Sequence, residues 1–417
     1  MLSVKNPIMT GFFPDPSICR VGNKFYTVHS TFAYFPGVPV FESEDLVHWN
    51  LISNVLDRDS QVPLSGCQHS QGIFAPTIRY HKGTWYMITT NVSDQGNFIV
   101  TAKDPRGPWS EPYYLGESTG GIDPSLFFDD DGTCYYIGQR PRSAGYRYNG
   151  DCEIWIQTLD LDTMQLKPDA TIVLTGFQRK AIWPEGPHLY KKDGYYYILH
   201  AESGTSIHHS VMIARSKNVF GPYEYCPCNP ILTHRHLGAQ YPVTCVGHAD
   251  LVDDGNGNWY MVVLACRPNQ GYTLLGRETF LAKVTWEDGW PVVNAGVGHL
   301  EEVVTLPYEG QPSDDVPQCK TYTFDTPSLP LELLTLRNHR DHELELHAEE
   351  HIVRLFHRCD SLKDCGEPAY LALRQQHWNC EFETSFIPHF CKESDCAGIA
   401  MVQSNENHLR AECYPQD

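Results

Sequence analysis

Five short segments bring residues with catalytic potential into one repeated context: Asp15-Pro-Ser-Ile18, Ala75-Pro-Thr-Ile78, Asp123-Pro-Ser-Leu126, Glu185-Gly-Pro-His-Leu189 and His248-Ala-Asp-Leu251. An Asp before Pro is by itself most often a turn or capping residue. Three carboxylates and an imidazole at one recurring position are different, because like charges held close together cost stability unless they work. Two carboxyl groups about 6.5 to 9.5 Å apart, one protonated and one ionised, are what an inverting glycosidase needs, whereas about 5 to 5.5 Å serves a retaining one. Asp250, two residues beyond His248, falls on the same side by the strand period of two and is placed to support it. Phe32, Phe35, Phe74 and Trp183 lie close to these segments and offer flat faces to sugar rings.

The elements that must position these residues follow from the repeat itself. Each segment reads as a short strand and precedes a turn with an aromatic-rich run, as in His81-Lys-Gly-Thr-Trp-Tyr-Met-Ile88 and Lys192-Asp-Gly-Tyr-Tyr-Tyr-Ile-Leu199. Gly supplies the positive φ of a tight hairpin, and aromatic and β-branched residues suit a pleated strand. A third strand and a polar turn come next, among them Pro105-Arg-Gly-Pro-Trp109 and Val219-Phe-Gly-Pro-Tyr223. A unit of about 50 to 65 residues with three or four strands, repeated five times, is the signature of a β-propeller blade. The fold expected is all-β: a five-bladed β-propeller over residues 1–306, a Pro- and acid-rich linker over 307–318, and a partial β-sandwich over 319–417. Sandwich strands are expected at 331–336, 343–347, 351–357, 370–374, 379–386 and 398–403. In a propeller the first strand of each blade lines the central channel, so Asp15, Ala75, Asp123, Glu185 and His248 converge there.

Composition narrows the partners. The 417 residues carry 51 acidic and 31 basic side chains, a net charge of −20. That charge repels nucleic acid and anionic membranes alike. No apolar run approaches the roughly 20 residues of a membrane-spanning helix, and the first residues lack a signal peptide's apolar core, so a cytoplasmic protein is expected. Fifteen cysteines, odd in number and without a Cys-x-x-Cys pair, read as free buried thiols. Cys226-Pro-Cys228 has the wrong spacing for structural zinc, and the acid runs 129–131 and 253–254 read as solvated turn tips.

Longer motifs carry a family resemblance across almost the whole chain. They are Asn6-Pro-Ile-Met-Thr-Gly-Phe-Phe-Pro-Asp-Pro-Ser-Ile-Cys-Arg20, Ser30-Thr-Phe-Ala-Tyr-Phe-Pro-Gly37, Gly121-Ile-Asp-Pro-Ser-Leu-Phe127, Trp183-Pro-Glu-Gly-Pro-His-Leu-Tyr190, Val246-Gly-His-Ala-Asp-Leu251 and Leu275-Gly-Arg-Glu-Thr279. The sequence resembles the glycoside hydrolase family 43 β-xylosidases and α-L-arabinofuranosidases. That resemblance implies an exo-acting, inverting hydrolase of xylo- or arabino-oligosaccharides derived from xylan or arabinan. Asp15 would be the general base, Glu185 the general acid and Asp123 the carboxylate that raises the acid's pKa. Arg277 would hold the terminal sugar, Phe32 and Phe74 would wall it, and Ala75 and His248 would complete its subsite. No cofactor is required by this reading, with calcium beside His248 as an option that some relatives use. Two departures stand out: a sandwich shorter than in relatives, with open edges that invite homo-oligomers, and an Arg- and Gly-rich stretch at 139–150 where relatives place an aromatic. A retaining fructan-type hydrolase and a non-catalytic sugar- or protein-binding propeller are the alternatives.

Overall fold

Strand pairing in the computed structural model, which describes residues 1–116, 120–310, 319–337 and 344–415, divides the first three quarters of the chain into five antiparallel sheets. Blade 1 spans 17–56, blade 2 77–114, blade 3 122–175, blade 4 185–225 and blade 5 244–293. Four have four strands and blade 3 has five. The hairpins between the first and second strands form where expected. Lys82-Gly83 and Asp193-Gly194 both take positive φ at two successive residues, the two-residue geometry that matches strand twist.

Alternation along the strands explains the ring. In Thr84–Asn91, Trp85 and Met87 face blade 1, whereas Tyr86 and Ile88 face blade 3. In Tyr195–Glu202, Ile198 packs with blade 3 while Tyr197 and Leu199 pack with blade 5. Both faces of each sheet are therefore apolar. The result is five separate hydrophobic clusters, one in each gap between neighbouring blades. The ring closes between blades 5 and 1 through a ribbon in which Leu2–Lys5 pairs with Val303–Leu306. Leu2, Val4, Val304 and Leu306 fill that gap with Ile18 and Phe25 of blade 1 and Val262 and Leu281 of blade 5. Asn6 locks the ribbon by bonding both backbone groups of Leu281.

The channel is filled by a polar network centred on Asp250. Its fully buried carboxylate accepts hydrogen bonds from Ser17 Oγ (2.9 Å) and the Ile18 N–H (3.0 Å) of blade 1. Arg79 of blade 2 donates at 3.0 and 3.3 Å, and the Tyr190 hydroxyl of blade 4 at 2.5 Å. His188 Nδ1 lies 3.1 Å from Arg79 and 3.1 Å from Ser125 Oγ of blade 3. Because Arg79 can only donate, Nδ1 accepts and the ring proton sits on Nε2. Burial raises the Asp250 carboxyl, but Arg79, then His188, Tyr190 and Ile18, outweigh this and hold it at about 2.

Several expectations are corrected. Asp250 does not support His248: strand Thr244–Asp253 is bulged between Gly247 and Ala249, which interrupts the pleat and turns Asp250 toward Arg79. Phe35 lies in the core and pairs with Thr335, not at the site. Asp129 is buried and bonded by Lys191 and Tyr196 of blade 4, and Asp253 is held by Arg20 of blade 1, so both acidic tips tie neighbouring blades together. All fifteen cysteines are free, but only six are buried and seven are exposed. No helix among the described residues is long and apolar enough to cross a membrane.

Beyond the ring, Thr335–Leu336 pairs with Tyr34–Phe35. Two hairpins follow, Leu344–His347 with Ile352–Leu355 and Ala397–Val402 with His408–Cys413. The stretch 370–374 makes one bridge, Leu334 to Ala372, and 379–386 forms no strand, since alternation without a hydrogen-bonded neighbour leaves it open with Phe382 and Phe386 exposed. Residues 311–318 of the expected linker, and Glu343, lie outside the described residues.

Asp250→Asn tests the hub. The substitution leaves Arg79 buried without its counter-charge, so unfolding free energy in urea should fall by about 3–5 kcal/mol. The native carboxyl lies below the unfolded value of 3.8, so its contribution is present above about pH 4 and is lost as the pH falls toward 2. The difference between the two proteins should therefore shrink on acidification through that window.

Candidate active site

The residues at the mouth of the channel are aimed by local backbone irregularity. Asp15, Asp123 and His248 all have positive φ, at 54°, 54° and 48°. Non-glycine residues rarely adopt this region, and where they do the strain is usually tied to function. Register shows that Glu185 does not occupy the equivalent position. Ile122 pairs with Gln139 and Glu185 with Ala201, and in each strand a bulge follows before Ser125 and His188 resume the ladder. Gly186, with φ of 58°, is thus the counterpart of Asp123, and Glu185 reaches the channel from one residue earlier. Glycine is needed there: a Cβ would lie 3.0 Å from the His248 ring.

Asp15 is buried and held from both sides. Ser30 Oγ donates to Oδ2 at 2.6 Å, and Arg277 Nη1 donates to Oδ1 at 2.6 Å. His248 Nδ1 is 3.8 Å from the same Oδ1. Burial favours the protonated form, but Arg277, followed by His248, Ser30 and His209, more than reverses this and keeps Asp15 ionised below the usual carboxylate range. Asp123 accepts the Gly186 N–H at 3.1 Å. Burial first, and then the Asp15 charge, lifts it to about 6. The Glu185 carboxyl makes no hydrogen bond to the described residues. Burial, then Asp123 and Asp15, push its pKa well above the ordinary glutamate value. Burial thus exceeds the charge of Asp123, which the sequence reading had made the cause. Burial and neighbouring charge thus push the two carboxyls in opposite directions, Asp15 below the ordinary carboxylate range and Glu185 well above it.

The aromatic wall is more extensive than expected. Phe12 stacks on Phe32 at 5.6 Å, Phe32 meets Phe74 edge-on at 5.4 Å, and the Arg277 guanidinium lies 5.8 and 5.4 Å from Phe12 and Phe32. Ala75, at the head of blade 2, is buried and brings no functional group. Sequence reasoning passed over Phe12, Ser30, His209 and Gly186, although all but His209 sit inside the quoted motifs. Arg79 also had a signal, the one permanently charged side chain on the inner strand Thr77–His81. Among the described residues no three His, Cys, Asp or Glu side chains gather as metal ligands; Asp15 is engaged by Arg277 and Ser30, and Arg79 is the cation beside Asp250.

Carboxyl groups shifted in opposite directions, gathered beside an arginine and a wall of phenylalanines, fit a glycoside hydrolase built on a propeller. Residues 4–291 match the model for glycosyl hydrolases family 43, and residues 321–416 match that for the β-xylosidase C-terminal concanavalin A-like domain. The chain belongs to glycosyl hydrolase family 43. It is 55% identical over 413 residues to a xylosidase/arabinosidase of Butyrivibrio fibrisolvens, covering 98% of this chain and 79% of that protein. It is 40% identical to a non-reducing end α-L-arabinofuranosidase of Bacteroides ovatus, covering 97% and 74%. Among solved structures, a xylan β-1,4-xylosidase from Bacillus halodurans superposes with a TM-score of 0.86 at 36% identity, covering 98% and 79%.

Arg277→Met should reveal the electrostatic control of Asp15. Without the guanidinium the Asp15 pKa rises, and the acidic limb of kcat/KM against pH should move upward by about one pH unit. An unmoved limb would show that Asp15 is not the group titrating there.

Proposed function

We propose that the enzyme removes terminal xylose and arabinofuranose from the non-reducing ends of xylan- and arabinan-derived oligosaccharides with inversion of configuration, and needs no cofactor to do so. The opposite protonation of Asp15 and Glu185 carries the reading. Asp15, as general base, takes a proton from water while that water attacks the anomeric carbon. Glu185, as general acid, delivers its proton to the departing oxygen. The two come from blades 1 and 4, which are not neighbours in the ring, an origin that suits the wider carboxyl separation of inversion. Asp123 keeps Glu185 protonated and, through the Gly186 N–H, fixes the backbone next to it. The free edge of the Arg277 fork and the Phe12, Phe32 and Phe74 faces receive the terminal sugar. Both pentoses are proposed because the relatives carry names of both activities.

Release of xylose from p-nitrophenyl β-D-xyloside and of arabinose from the α-L-arabinofuranoside, followed by NMR, should show each product first in the inverted anomeric form; net retention would overturn the mechanism. Glu185→Gln should lose much more activity on xylobiose than on a dinitrophenyl xyloside, whose leaving group departs without a proton. Equal losses would remove Glu185 from the role. In Asp123→Asn one of the charges that keeps Glu185 protonated is gone, so Glu185 ionises more easily. The basic limb of kcat/KM should move to lower pH, by about half a unit or more.

A further inference from the structure

Glu278 carries a fully buried carboxylate that takes no part in the mechanism. It follows Arg277 directly, at the start of the strand Glu278–Glu287, and successive side chains of an extended chain point to opposite sides. Arg277 reaches Asp15, whereas Glu278 reaches Gly11 and Arg267. Its Oε1 accepts the Gly11 N–H at 3.0 Å and Arg267 Nη2 at 2.8 Å, and its Oε2 accepts Arg267 Nε at 2.7 Å. Two bonds from one planar guanidinium fork fix the orientation of the carboxylate, so it presents its third contact to Gly11 in a single geometry. For stability alone such a buried pair is weakly justified, because apolar residues of similar size serve as well.

What Glu278 grips is the loop that carries the aromatic wall. Residues 9–13 run beside the strand: Met9 and Thr279 exchange both backbone hydrogen bonds, at 3.2 and 3.3 Å, and the Phe13 N–H donates to the Arg277 carbonyl at 3.1 Å. Thr279 Oγ1 donates to the Phe13 carbonyl at 2.7 Å. Between these anchors the chain bends at Gly11 and Phe12, with Gly11 at a φ of 88°, and here the Gly11 N–H goes to Glu278. The next residue is Phe12. Its ring lies so close to Gly276 that a Cβ there would come within 2.5 Å of it, and it sits 5.6 Å from the Phe32 ring and 5.8 Å from the Arg277 guanidinium. A displaced Gly11 amide therefore moves one ring of the wall relative to Arg277. Arg267 is steadied in turn by Trp378, whose ring centroid lies 5.1 Å from its guanidinium.

We propose that Glu278, oriented by Arg267, is a positioning residue: by holding the Gly11 N–H it sets where the Phe12 ring meets the terminal sugar, without touching that sugar itself. This rests on the hydrolase reading above. The test is Glu278→Gln in the full chain, alone and combined with Phe12→Ala, assayed on p-nitrophenyl β-D-xyloside. The amide keeps the shape of the side chain but loses the charge and one acceptor. KM should rise about ten-fold while kcat changes by less than about three-fold. A merely structural role would lower the amount of folded enzyme, and so kcat, while leaving KM in place. In the Phe12→Ala background the same substitution should change KM by less than about two-fold, because the ring through which it acts is gone. An unchanged KM, or an equal rise with and without Phe12, would overturn the proposal. Should Glu278→Gln not fold, Arg267→Lys, which keeps the charge and loses the fork, takes its place with the same expectations. If the unsubstituted protein turns over neither this xyloside nor the arabinofuranoside, the hydrolase reading fails instead, and hydrogen exchange of the 9–14 backbone decides the positioning. Exchange about ten-fold faster in Glu278→Gln, with the strands of blade 5 unchanged, supports it, and unchanged exchange overturns it.

Discussion

A single buried carboxylate, that of Asp250, governs how the five blades meet. It accepts hydrogen bonds from blades 1, 2 and 4, and through Arg79 and His188 it reaches Ser125 of blade 3. An ionised group inside a protein is tolerated only when its charge and lone pairs are all engaged, and here they are. Apolar packing between sheets is nondirectional and would permit small rotations of one blade against the next. Charge-assisted hydrogen bonds at the axis do not. They set the depth and angle of each inner strand, and with it the position of the residues one or two places upstream at the channel mouth.

Those upstream residues show how one cavity can hold two acids in opposite states. Burial alone would protonate Asp15, Asp123 and Glu185 together. The difference lies in the neighbours: Arg277, His248 and Ser30 surround Asp15, whereas Glu185 is buried beside the carboxyls of Asp123 and Asp15, with Arg277 as a weaker influence. Asp123 lies between the two, with one backbone N–H to offset its burial.

The C-terminal part of the chain braces the same site from outside. Thr335–Leu336 adds a strand to Tyr34–Phe35, next to the Phe32 wall. Arg337, fully buried, donates to the carbonyls of Cys67 and Gly366 while its own N–H donates to Ala33. Gly11 passes so close to Gln375 that a Cβ would lie 2.5 Å from its carbonyl oxygen, and the Arg374 guanidinium sits 4.9 Å from the Phe13 ring. The loops that carry Phe12, Asp15 and Phe32 are thus clamped between the propeller and the residues that follow it.

Much of this was legible in the sequence. The period of the aromatic hairpins determined five blades, because alternating apolar strands with Gly turns cannot bury both faces except against copies of themselves. The recurrence of acids before Pro determined which carboxylates meet at the axis. What the sequence did not decide were the features that depend on one added residue or on a distant partner. Glu185 sits one place earlier in the ladder than Asp123, whose counterpart is Gly186, and a bulge turns Asp250 from His248 to Arg79. Asp15 is ionised because Arg277, 262 residues away in the chain, comes to 2.6 Å. Local pattern specifies strands, since propensity and periodicity are properties of neighbours in sequence. Protonation and aim depend on which charges and donors the closed ring brings within a few ångströms, and only the tertiary structure decides that.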